Sequence, residues 1–446
     1  LILLLDTCIL IFDIPAENAH LKFMQPAGIA TKMSPSFKMV SKYFIATIVT
    51  FVVLNALLLA NYMSITGHYF QPKILALVHI ATLGWITMII FGAMFQLVPV
   101  VLEVRLYSEK LAEVQFWVYV VGVIGLVFGF GFFKVGLHLT ISAALVTIAM
   151  LMFVFNIIAT MTQVTKWNFT GIHILASLVY LTLTAITGLL LSINLGYPFI
   201  SRIHLDYLKI HAHLGFVGWV SMVIMGVTYK LIPMFSLSHG YSLTPSKWAF
   251  GLVNVGLLGA VVEMTLGKET ALLYIYVAVL VIGILLFLFQ IYLILKYRVR
   301  KVLDIGLRHS VVSFIALLLV TALGAFLAVS NVSNNTMREN LILVYGFLIL
   351  FGYISMLIVG QMYKIVPFLV WFHKYSSKVG LQPVPMLKDM FSEKIASVEF
   401  WMMNVALLGA VLGLGISNSS VLAASFGLML LVSLILSYNM FSIFRK

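Results

Sequence analysis

Charge is what this chain has least of. Asp, Glu, Lys and Arg make up 9% of its 446 residues, while 62% are hydrophobic. That balance excludes a soluble globular domain, where about 25% of residues are charged. There is a single cysteine, Cys8, which excludes an internal disulfide framework and a multi-cysteine metal cage. The long apolar runs lack polar–apolar alternation, which excludes the strands of a membrane barrel. Acidic residues are scarce too, 14 against 27 basic ones, but the location of the basic residues excludes a nucleic-acid reading.

Present instead are twelve apolar runs long enough to cross a bilayer as helices: 39–62, 74–101, 114–133, 136–161, 169–194, 208–233, 247–267, 270–295, 309–330, 341–371, 397–415 and 420–443. With the N-terminus placed in the cytoplasm, one face of the membrane carries only Lys73, Lys134, Arg202, Lys209, Lys268 and Arg338, and the other carries the remaining 21 basic residues. This positive-inside asymmetry predicts cytoplasmic termini at both ends and an even helix count. The first 14 residues are apolar but short, interrupted by Asp6 and Asp13 and ended by Pro15, and read as an interfacial or disordered stub. The chain opens on Leu1 rather than Met, which leaves its natural start open.

A nine-residue stretch, Gly84-Trp85-Ile86-Thr87-Met88-Ile89-Ile90-Phe91-Gly92, comes back at Gly218–Gly226 and again at Gly352–Gly360, each time 134 residues on. Each copy leads to a proline seven residues later, Pro99, Pro233 and Pro367. A weaker echo follows on the next helix: Gln115-Phe116-Trp117 resembles Glu399-Phe400-Trp401, and the run from Asn254 resembles the run from Asn404. Twelve helices in three such repeats give four per repeat. The expected architecture is an all-α membrane protein with three four-helix units around a pseudo-three-fold axis. Its boundaries are an N-terminal arm over 1–38 and one membrane domain over 39–446, with repeats near 39–163, 164–300 and 301–446. A major-facilitator transporter has twelve spans as well, but its repeats are six helices long or three inverted.

The histidines are spread unevenly over these repeats. Of eleven, His20, His239, His373, His68 and His204 fall in loops, and His173 and His309 open the fifth and ninth helices, where interfacial capping explains them. His79, His138, His211 and His213 lie within spans, in the outer half of the bilayer, and an ionisable group there points to function. His138 alone is explained by a hydrogen bond that glues two helices. His79 and His213 each precede the repeated glycine by five residues, so they share one position in two units, which Phe347 fills in the third. Facing imidazoles at one depth suit a bis-histidine haem, and the glycine ridges beyond them would let a flat ring approach or would simply pack helices. His211 and His213 point about 200° apart, so they address two neighbouring compartments rather than one metal. Lys230 and Lys364 read as snorkelling residues, and Glu263 as a candidate proton-handling group.

Twelve spans in three arcs, with outer-half histidines on the second and sixth helices, resemble subunit I of the haem-copper oxidase superfamily. The stretch from His211-Ala212-His213 through Gly218-Trp219 to Pro233-Met234-Phe235 is similar to its cbb-type members and to the NnrS family, haem- and copper-containing membrane proteins linked to nitric-oxide stress. The resemblance implies that His79 is an axial ligand of a low-spin haem and that a sixth-helix histidine binds copper. Two departures stand out. The family's tenth helix carries an H-x-H and its seventh a histidine pair, whereas residues 341–371 and 247–267 here contain no histidine. The expected protein is therefore a haem-binding subunit that carries electrons or binds a small gas, NO or O2, an oxidoreductase or an electron-transfer component of one, rather than an oxidase that completes oxygen reduction. Haem b is expected between His79 and His213, with His211 for a second haem or, near His138, for copper. Electrons would come from a periplasmic cytochrome c or a quinol, alongside partner subunits, in a prokaryotic inner membrane. The competing expectation is a cofactor-free structural subunit that kept the fold.

Overall fold

The computed structural model describes residues 33–200, 204–267, 270–330 and 333–446. Cys8, His20 and the N-terminal stub lie outside them. Among the described residues there is no strand, and twelve helices are long and apolar enough to span a membrane: α1 Phe37–Ala60, α2 Pro72–Leu102, α3 Glu109–Gly131, α4 Leu137–Met161, α5 Phe169–Gly196, α6 His204–Ser236, α7 Thr244–Leu266, α8 Ala271–Lys296, α9 Ile305–Val329, α10 Asn335–Lys378, α11 Glu393–Gly415 and α12 Ser419–Arg445. They correspond one for one to the twelve apolar runs. The widest difference is at α10, which exceeds its run at both ends. Hydropathy marks the apolar stretch, but Arg338, Glu339 and Lys374 continue the helix beyond it.

Local chemistry sets several ends. Side-chain oxygens of Ser108, Asn168, Asp304, Asn334, Ser392 and Asn418 accept from the amides of Leu111, Gly171, Leu307, Met337, Ile395 and Val421, capping α3, α5, α9, α10, α11 and α12. α2 and α6 stop at left-handed residues, Glu103 and Leu237, both at φ 56°. The amides that follow return to the repeat prolines, Val104 to the Pro99 carbonyl at 3.0 Å and Ser238 to that of Pro233 at 2.9 Å. The third copy runs on past Pro367 instead, into Tyr375.

In the bilayer, close packing and interhelical hydrogen bonds hold helices together. The repeated glycines supply that packing. A Cβ on Gly84 or Gly92 would lie 2.6 and 2.7 Å from Thr50 and Tyr43 of α1. On Gly226 and Gly360 it would lie 2.4 and 2.5 Å from the Cβ atoms of His173 on α5 and His309 on α9. Each inner helix thus seats its glycine face on the helix before it. α3 with α4, α7 with α8 and α11 with α12 form tight hairpins, and α12 returns against α1.

At the centre the inner helices meet. The Trp85 indole of α2 donates to Ser355 Oγ of α10 at 2.9 Å, Tyr353 of α10 lies against Ser221 of α6, and Trp219 of α6 approaches Phe91 of α2. Each inner helix also contains an eight-residue π-helical stretch, Ile80–Thr87, Leu214–Ser221 and Leu348–Ser355. Such i→i+5 segments are rare and concentrate at functional sites.

Candidate functional site

Immediately before the first two π-helical stretches stand His79 and His213, and Phe347 stands before the third. The His79 Nδ1 lies 2.7 Å from the Leu75 carbonyl. A carbonyl only accepts, so Nδ1 carries the proton and Nε2 keeps its lone pair, the tautomer a metal ligand needs. Phe130 of α3 stacks on this imidazole at 4.5 Å. His213 is tied in the same way, its Nδ1 2.8 Å from the Lys209 carbonyl. His211 reaches across to α5, with Nδ1 3.2 Å from the Thr187 hydroxyl and its ring resting on Gly188. All three are enclosed by protein yet only half-buried.

The structure brings His79 and His211 within range of each other's charge. For His213 the charged neighbour is Lys209 of its own helix. Repeat equivalence pairs His79 with His213, whereas His211, seated against α5, is the histidine within range of the His79 charge. His138 stays within the α3–α4 hairpin: its Nε2 is 3.1 Å from the Gly125 carbonyl and its ring meets Phe128 edge-on. That is the helix-gluing role. Among the described residues no three histidine, cysteine or carboxylate side chains gather into a metal-binding group. At the third equivalent position Phe347 stacks on Phe351 at 4.6 Å, an apolar filling where the other units carry imidazoles.

Other expectations need correction. Of the two readings of the glycine ridges on α2 and α6, helix packing is the one their close neighbours on α1 and α5 match. His173 and His309 do not face lipid or solvent. Both are fully buried, because Gly226 and Gly360 let their helices approach closely. Lys230 is exposed, as snorkelling predicts, but Lys364 is paired with Asp304 and lies 5.0 Å over the Phe235 ring. Glu263 is engaged, accepting from the Thr270 hydroxyl at 2.5 Å across the α7–α8 turn. The sequence reading missed Thr187, Gly188 and Phe130, which position the candidate imidazoles and carry no motif of their own.

Comparison with protein families finds a match over residues 20–270, more than half of the chain, to the family described as Cytochrome C and Quinol oxidase polypeptide I. The matched segment contains His79, His138, His211 and His213. Comparison with curated proteins finds no match.

Proposed function

Because the chain belongs to the cytochrome c and quinol oxidase polypeptide I family, the multi-pass haem-copper oxidase-type membrane subunits, we propose that it is a haem-binding subunit that carries electrons or binds NO or O2 without completing oxygen reduction. Members of this family generally bind haem and copper. The observation that carries the reading is that the His79 and His211 imidazoles, on two inner helices, lie within electrostatic range of each other, with no hydrogen bond to the His79 Nε2 among the described residues. Bound haem b supplies a one-electron iron couple. The chain's own residues fix its ligands. The Leu75 carbonyl holds the His79 tautomer, the Thr187 hydroxyl and Gly188 set the plane of His211, and Phe130 covers the His79 ring.

In this proposal His79 and His211 would hold one haem, and His213, on the opposite face of α6, would hold a second. Copper does not fit: His138 is engaged with Gly125, and no donor group assembles among the described residues. No step is drawn through it. Histidines in the outer half of a prokaryotic inner membrane, with both termini cytoplasmic, suit electron exchange with a periplasmic cytochrome c or a quinol, beside partner subunits.

The test is a reduced-minus-oxidised optical spectrum of the purified protein with haem extraction. A b-type signal that His79→Ala and His211→Ala each abolish, and His213→Ala does not, supports the axial pair. Loss in His213→Ala instead of His211→Ala restores the pairing by repeat equivalence. A folded preparation without haem supports the cofactor-free structural subunit and ends this proposal.

A further inference from the structure

Glu399 of α11 and His309 of α9 are both completely buried, with Glu399 Oε2 3.5 Å from His309 Nε2. The imidazole Nδ1 donates to the Ile305 carbonyl at 2.8 Å, which leaves Nε2 as the only basic atom of the ring aimed at the carboxyl group. Neither carboxyl oxygen, nor that Nε2, has a hydrogen bond at normal distance among the described residues. Such atoms are rare in a protein interior and call for a function.

Helix packing does not require an acid and a base here. In the first repeat the same two positions hold Tyr43 and Gln115, which hydrogen-bond each other as a neutral pair, and Tyr43 also donates to the Ala112 carbonyl at 2.6 Å. In the second they hold His173 and Ala249. The adjoining aromatic contact is common to all three: Phe116, Phe250 and Phe400 lie 5.0, 4.7 and 4.8 Å from Tyr43, His173 and His309. The third unit has kept the packing and added a proton donor and acceptor.

We propose that His309 and Glu399 form a proton-binding site in the membrane interior, holding one proton between the two bases and exchanging it with the end of the bundle where Asp304 and Lys364 lie. With no shared proton the pair carries a net negative charge, with the Tyr363 hydroxyl beside the carboxylate, and with two it carries a net positive charge; burial opposes both. With one proton the pair is neutral whether the proton sits on Nε2 or on the carboxyl oxygen. The proton can cross between the bases without creating net charge.

The surroundings fit an exchangeable proton. From α10 the Tyr363 hydroxyl lies beside Glu399 and accepts from Asn439 Nδ2 of α12 at 3.3 Å. The next residue, Lys364, pairs with Asp304 at the start of α9, which also pairs with the more exposed Arg300 at 3.0 Å. Glu393, at the start of α11, acts on Lys364 as well. Arg308 is turned back to the Leu303 carbonyl at 3.1 Å, and Gln361 donates to Ser310 at 3.0 Å. Asp304 and Lys364 at the half-exposed rim thus stand five residues from His309 and one from Tyr363 along their helices.

Solid-state NMR of the intact protein in lipid, with labelled histidine and glutamate, tests this from about pH 6 to 8. Wild type should show one imidazolium or one protonated carboxyl, constant over the range and exchanging with deuterium. Glu399→Gln should remove it and leave every buried imidazole neutral. His309→Tyr combined with Glu399→Gln copies the Tyr43–Gln115 pair, so it preserves the packing and should also lack the proton. A neutral imidazole beside an ionised carboxylate, two protons on the pair, or a signal unchanged in both variants would overturn the proposal. The readout involves no haem, so the fate of His79 and His211 does not affect it.

Discussion

Gly188→Ala is the sharpest probe of the candidate site, because it touches His211 without altering any proposed ligand. A Cβ on residue 188 would stand 2.9 Å from the imidazole Cε1. Carbon atoms settle at about 3.5–4.0 Å, so the ring must retreat by roughly 0.6–1.1 Å. Metal–ligand distances tolerate about 0.2 Å. The ring therefore could not clear the new methyl group and still hold an iron at the proposed position. Losing a positioning contact of this kind costs about 10–100-fold in affinity, or roughly 1.4–2.7 kcal/mol. Haem content after purification, followed by titration of haem into stripped protein, would measure it. Gly251→Ala, with nothing within 4 Å of the new atom, is the matched control. Full haem occupancy and an unshifted spectrum in Gly188→Ala would refute His211 as an axial ligand.

Three further outcomes concern stability, each read by thermal unfolding in detergent. Gly360→Ala forces a Cβ to within 2.5 Å of the His309 Cβ and should destabilise by about 1–3 kcal/mol, while Gly251→Ala stays near wild type. Ser355→Ala strands the buried Trp85 indole N–H and should cost about 1–3 kcal/mol with a shift in tryptophan emission; unchanged melting would mean the indole finds another acceptor. Asp304 both caps α9 and pairs with Lys364, so Asp304→Asn keeps the cap and loses the charge, whereas Asp304→Ala loses both. Alanine should therefore be the worse of the two by about 1 kcal/mol, and equal melting would remove the cap from the account.

The twelve spans were legible because apolar length is a one-dimensional property, and the motif of the inner helices because its glycines and prolines keep strict spacing. Gly92, Gly226 and Gly360 matter for where a helix touches its neighbour, and that contact follows from position along one helix. The partner across a helix pair is another matter. Nothing near Lys364 in sequence announces Asp304, sixty residues earlier. His309 stands only five residues into α9, and it is Gly360 on a different helix that draws it inside. The H-x-H motif marked α6 as a helix with candidate ligands, yet the choice between His211 and His213 depends on rotation about the helix axis, which one chain's pattern leaves free.

The three π-helical stretches give that freedom a mechanical form. A π turn takes up one more residue than an α turn, and one residue corresponds to about 100° of α-helical rotation. Each inner helix is therefore two α-helical rods in series, joined by a slip coupling that sets their relative phase. The rod with the proline and the second glycine is clamped by its neighbour, as Gly226 is by His173 and Gly360 by His309. The rod with the histidine, or with Phe347, is indexed separately from that clamp. The side chains at one end of each inner helix, His79, His213 or Phe347, can thus differ in kind and aim while the clamps at the other end keep the same scaffold.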